Sequence, residues 1–154
     1  MKNLVVYYSR TGVTRSVADY IAESISCDIE EIIDMKDRSG PKGYLVGGKD
    51  AATKKLTQIK ETAKDPAEYD VVIIGTPVWA FTMAPAIRTY IENNKGKFKN
   101  VAFFCTEGGS GGKKTFKDMQ GLCAKEPKSV IELTEREVKK DIYKPKVKEF
   151  IEGV

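Results

Sequence analysis

Three short segments hold residue types and spacings that could do chemistry. In the first, Ser9, Arg10, Thr11, Gly12, Val13 and Thr14 place three hydroxyls around a glycine where a helical pattern opens. A run of backbone N–H groups at a helix start is an anion nest, favoured further by the helix dipole. A phosphate there could take several charge-assisted bonds, each worth roughly 1.5–3 kcal/mol before ordering costs. The segment is neither a Gly-Lys-Ser/Thr loop nor a G-x-G-x-x-G fingerprint, and no cysteine precedes it as in a phosphatase loop. Taken alone, it could also be a plain N-cap and turn. In the second, Thr76, Pro77, Val78, Trp79, Ala80 and Phe81 follow an apolar run and put the single tryptophan on a loop. A loop tryptophan could stack on a flat ring or fold back over the core. The third is Thr106, Glu107, Gly108, Gly109, Ser110 and Gly111, closed by Gly112. Its glycines would let the backbone approach a ligand edge and bond ring oxygens and nitrogens. A flexible linker is the plainer alternative, although a loop at a strand end is where sites occur.

The composition narrows what these segments can do. Histidine is absent, which removes a His-containing triad, a His metal site and an imidazole base. Cys27, Cys105 and Cys123 form no C-x-x-C pair, against a zinc ribbon, an iron–sulfur site or a thioredoxin-like motif. They read as buried structural thiols. No metal site and no catalytic side chain are expected; difficult chemistry would come from a bound organic cofactor. The net charge is +4, with basic stretches at 36–64 and 88–117 and acidic ones at 1–35 and 65–87. The lysines are scattered without interleaved aromatics, which speaks against nucleic-acid binding.

The elements that must position the three segments alternate along the chain. Leu4–Tyr8, Val71–Ile74 and Val101–Cys105 are apolar runs of the kind buried on both faces of a parallel sheet. Asp28–Ile33 and Ser129–Leu133 are weaker strands. Helical spacing links Val13, Val17, Ile21 and Ile25; Ala52, Leu56, Ile59 and Ala63; and Met83, Ile87, Tyr90 and Ile91. Lys113–Cys123 and a stretch opened by Pro145 add two more helices, whereas the glycine-rich Met35–Lys49 reads as a long loop. With 154 residues, 41% hydrophobic, this predicts one α/β domain over 1–154 with right-handed crossovers and helices on both sheet faces. Ligands of such sheets bind beyond the carboxyl ends of the strands, where strand order reverses. No run suggests a membrane span or a signal peptide, so a cytoplasmic protein is expected.

Together and in this order, the three segments resemble those of the flavodoxins, and the resemblance spans the whole chain. It implies a three-layer sandwich around a five-stranded parallel sheet of order 2-1-3-4-5, with non-covalent FMN at the switch point, a placement inherited from the family. It further implies that Ser9–Thr14 hold the phosphate, that Trp79 flanks one flavin face and that Thr106–Gly112 bond the pyrimidine edge. The chain departs from better-known members in three ways: Thr106–Lys117 has no tyrosine, Ala80 stands where many have glycine, and the charge is basic. The implied function is an electron-transfer flavodoxin shuttling low-potential electrons between redox proteins. The alternative is an NAD(P)H-dependent quinone or flavin reductase of the same fold. Expected partners are redox proteins, an acidic ferredoxin among them, with no nucleic acid and no membrane, the protein being a monomer or weak dimer.

Overall fold

The computed structural model describes residues 1–154. Strand β1 (Asn3–Tyr7) leads into helix α1 (Val13–Ile25) and β2 (Asp28–Glu31), then α2 (Gly40–Ala52) and β3 (Val71–Trp79). A two-residue β4 (Thr82–Met83) precedes α3 (Pro85–Asn94), β5 (Val101–Glu107), α4 (Gly112–Cys123), β6 (Val130–Thr134), α5 (Glu135–Lys139) and α6 (Lys144–Glu152). The parallel path runs β2-β1-β3-β5-β6, and β4 pairs antiparallel with the end of β3. This is the expected 2-1-3-4-5 order with one short extra strand, which shifts the numbering. The chain moves from β1 to β2 and returns across β1 to β3, so strand order reverses beside β1.

Alternate strand residues feed two cores. Leu4, Val6, Val72, Ile74 and Phe103 join Ile87, Tyr90 and Met119 from α3 and α4 on one face. Val5, Tyr7, Ile73, Ala102 and Phe104 meet Val17, Ile21, Val147 and Phe150 from α1 and α6 on the other. The period of two along strands whose residues are nearly all apolar makes the sheet the middle of three layers. At Gly75, in mid-strand, an added Cβ would overlap the Phe104 ring, 1.9 Å from its Cζ, so the core itself requires that glycine.

Two expectations fail in the β2–β3 connection. The helix lies at Gly40–Ala52, beginning within the Met35–Lys49 segment read as a loop and running past its end, and Ala52–Ala63 is not the expected helix. Pro41 fits the first turn of a helix, and Gly43 and Gly47 are needed where α2 presses on Arg38 and Trp79. The stripe at 52–63 fails because Lys54 turns to φ 55° and the chain then runs extended. There Ile59 bridges Asp34, and the Thr57 N–H donates to Thr89 Oγ1 at 3.0 Å. Trp79 ends β3 instead of sitting in a loop, because β3 and β4 form a hairpin. Met83 belongs to β4 and not to the helix that follows. The short α5 was not expected; Thr134 and Glu137 close it with a reciprocal capping box. No helix is long and apolar enough to cross a membrane.

Candidate functional site

At the carboxyl end of the sheet, beside the point of strand reversal, lies a cavity of about 260 Å³. From the first segment it takes Arg10, Thr11, Val13 and Thr14; from the second, Pro77, Val78 and Trp79; from the third, Thr106, Glu107 and Gly108. Three segments far apart in sequence thus meet in one place. Tyr44 of α2 and Glu135 of α5 complete the lining, and sequence reasoning missed both. For Tyr44 the available signal was Ser39-Gly40-Pro41, a helix start with Pro near N1, which the glycines masked. A comparable cleft of about 290 Å³ lies on the other side of Arg10, but Ser9 and Arg10 are the only residues of the three segments in its walls.

The first segment is a prepared anion nest. Gly12 caps α1 at φ 97°, with open space where a Cβ would stand. The Ser9 hydroxyl accepts from the N–H groups of Gly12 and Arg15, at 3.1 and 3.2 Å. Ser9 therefore shapes the turn and lines no part of the cavity. The N–H groups of Arg10, Thr11, Val13 and Thr14 donate to nothing in the chain. They are available to an anion at the helix start. Thr14 and Thr106, both buried, share a hydroxyl hydrogen bond of 2.8 Å that ties the first segment to the third. Arg10 points toward α2: its Nε and Nη2 donate to the carbonyls of Arg38 and Gly40, at 2.8 and 2.9 Å.

Trp79 is half-buried, meeting Tyr8 edge-on at 5.5 Å, while α2 presses on it so closely that a Cβ at Gly47 would stand 2.9 Å from Cζ3. Ala80 and Phe81 make the two-residue turn to β4 with φ of 50° and 62°. That is the primed hairpin geometry, which usually employs Asn or Gly. Ala80 borders only an adjoining apolar recess of about 180 Å³, which shares Tyr44, Val78 and Trp79 with the cavity. Phe81 projects outward, and Thr76 is structural: its hydroxyl accepts from the Ala84 N–H at 3.0 Å and donates to the Pro77 carbonyl at 2.8 Å. Gly109, Ser110 and Gly111 face a separate recess with Lys113, Lys114 and Glu132.

Glu107 borders both spaces. Its Oε2 accepts from the Gly112 N–H at 3.0 Å. Burial pushes its carboxyl above the usual range, and the nearby charges of Glu132 and Glu137 add to this, against the Gly112 N–H. A carboxyl raised in the fold binds its proton more tightly there than in the unfolded chain. Stability is then lost as the pH climbs from about 4 through the raised value. Glu107→Gln removes that loss while keeping an acceptor for Gly112. Its Tm relative to wild type should rise between pH 4 and pH 8; a constant difference across that range would refute the assignment.

A family model described as flavodoxin matches residues 2–153. Among solved structures, a flavoprotein from Lactobacillus acidophilus NCFM, crystallised in complex with FMN, is 26% identical with a TM-score of 0.72, covering 90% of this chain and 97% of that one. Oxidised flavodoxin 2 from Bacillus cereus is 17% identical with a TM-score of 0.57, over 99% and 97% of the two chains. An NADH:FMN oxidoreductase in its apo form is 12% identical with a TM-score of 0.60, over 99% and 87%. At those two identities the likeness is one of fold alone. A search of curated proteins finds no match.

Proposed function

The chain belongs to the flavodoxin family, and from that premise we propose that it is an FMN-dependent electron carrier working between redox proteins. The observation that carries this reading is the row of unused N–H groups at Arg10, Thr11, Val13 and Thr14, opening into a cavity walled by Trp79. A phosphate fits the first and a flat ring the second. FMN, when bound, supplies the one- and two-electron redox chemistry. The residues of the chain hold and tune it. The nest and the Thr11 hydroxyl take the phosphate, Trp79 offers a stacking face, and the backbone at Thr106–Gly108 borders the ring edge. Glu107 and Glu135 place carboxylates in the lining, where they oppose added negative charge on a reduced ring and so favour low potentials. Lys113 and Lys114 lie at the neighbouring recess, and Lys114 is already paired with Asp118 at 2.7 Å. Lys113 is then the stronger candidate for steering an acidic partner such as a ferredoxin. Three free thiols suit a reducing, cytoplasmic setting.

If the nest holds the phosphate, Thr11→Ala should weaken FMN by roughly 1.5–3 kcal/mol, about ten- to a hundred-fold, and leave riboflavin unchanged. Equal losses for both ligands would place the phosphate elsewhere. The apolar recess beside Trp79 favours a second reading, an NAD(P)H-dependent reductase, because a second flat ring could enter there. Anaerobic mixing of the FMN-loaded protein separates the two. A carrier is bleached rapidly by a reduced ferredoxin, at a rate that falls with ionic strength, and slowly by NADH or NADPH. Faster bleaching by a nicotinamide than by any iron–sulfur donor would overturn the carrier reading.

A further inference from the structure

Tyr44 and Leu45 are large side chains of α2 left 63% and 70% exposed, beside a glycine face of the helix that is pressed hard against the protein. Of the two, only Tyr44 lines the cavity. Gly43 and Gly47, one turn apart, permit that pressure: a Cβ at 43 would overlap the Arg38 carbonyl group, and one at 47 would crowd the Trp79 ring. Since nothing holds α2 off, the Tyr44 ring reaches the rim of the cavity, where it forms a wall together with Thr11, Trp79 and Gly108. The Arg10 guanidinium lies 5.5 Å from the ring centroid and is itself fixed by the Arg38 and Gly40 carbonyls. The ring is therefore positioned, yet most of its surface still has no partner. A tyrosine serving the core would be buried, whereas this one is held at the mouth of the site.

We infer that Tyr44 is a cofactor-contact residue, an aromatic wall for the flavin ring system supplied by α2. The inference rests on the reading of the cavity as an FMN site. Stacking on a planar ring needs the π face and not the hydroxyl.

The experiment titrates FMN and riboflavin into apoprotein of wild type, Tyr44→Phe, Tyr44→Leu and Tyr44→Ala. Binding is followed by calorimetry and by the residual fluorescence of bound flavin. Ala and Leu should weaken both flavins about ten-fold, the size of a lost aromatic contact with its burial, and should raise the residual fluorescence. Phe should remain within about two-fold of wild type. The apoprotein Tm should stay near wild type in Leu and Phe, which separates ring contact from any role in packing α2. Affinities within two-fold of wild type for both Ala and Leu would overturn the inference. So would losses confined to FMN, which would assign the residue to the phosphate through Arg10. A wild type that binds no flavin would overturn the FMN reading itself, whereas tight wild-type binding indifferent to Tyr44 would overturn this inference alone.

Discussion

Gly43→Ala is expected to destabilise the protein by about 1–2 kcal/mol net and to weaken FMN, although alanine is the better helix former. Replacing a helical glycine by alanine gains about 1 kcal/mol in propensity. Here the new Cβ would overlap the Arg38 carbonyl carbon and oxygen, which are backbone atoms with no rotamer to retreat into. That carbonyl cannot easily give way either, because it accepts from Arg10 Nε and its own side chain is locked into an ion network. So α2 must move outward, at a cost typical of overpacking, about 1–3 kcal/mol and sometimes more. Because Tyr44 and the contact with Trp79 move with it, the site loosens too. Gly48 lies on the same helix with nothing within 4 Å of its Cβ position, and Gly48→Ala should instead stabilise by about 0.5–1 kcal/mol. Urea denaturation measures both. A Gly43→Ala protein as stable as wild type would show that α2 does not approach Arg38 this closely.

Asp50→Ala should cost about 3–5 kcal/mol at pH 7, the cost of breaking a buried ion pair. Arg38 is buried, with Nε 3.0 Å from Asp34 Oδ2 and Nη1 2.7 Å from Asp50 Oδ2, while Lys36 Nζ reaches the same Asp50 oxygen at 3.0 Å. Removing Asp50 leaves a buried guanidinium with one carboxylate, and its Nη2 already has no partner. Burial works against ionisation of Asp50, but its hydrogen bonds to Arg38 and Lys36 prevail and hold the carboxyl below the usual range. A lowered carboxyl contributes stability above about pH 4, and that contribution disappears as the pH falls through the folded value. The gap between wild type and Asp50→Ala should therefore narrow on acidification, followed by urea denaturation at pH 7 and pH 3. A gap of the same size at both values would rule out the ion network as its source.

The parts of the site legible in the sequence were those written in local chemistry. Ser9–Thr14 announces a helix start with spare donors, and Thr106–Gly112 announces backbone without side chains; both stand at ends of unmistakable apolar strands. What stayed hidden depends on close approaches that residue spacing does not show, one of them local (Gly43 on Arg38) and the other between residues 32 positions apart (Gly47 on Trp79). Gly43 and Gly47 read as helix breakers until Arg38 and Trp79 are seen against them, so α2 and its Tyr44 were invisible. Tertiary packing overrode propensity there. In the same way Ala52, Leu56, Ile59 and Ala63 had helical spacing, but Leu56 is half exposed and Ile59 pairs with Asp34. The role of Ser9 as scaffold needed the positions of two N–H groups that spacing does not give.

The Thr14–Thr106 bond joins residues 92 positions apart, and its consequence lies in when entropy is lost. Loops that close around a ligand give up their freedom at each encounter, and that loss is subtracted from affinity every time. Here the ends of two loops are fastened to each other as the chain folds, before any ligand arrives. The spacing between the nest at the start of α1 and the third segment is thereby set in advance, and an arriving cofactor meets a mould instead of closing one. Loading should then proceed at the pace of diffusion and orientation, with little lag from rearrangement of the first and third loops.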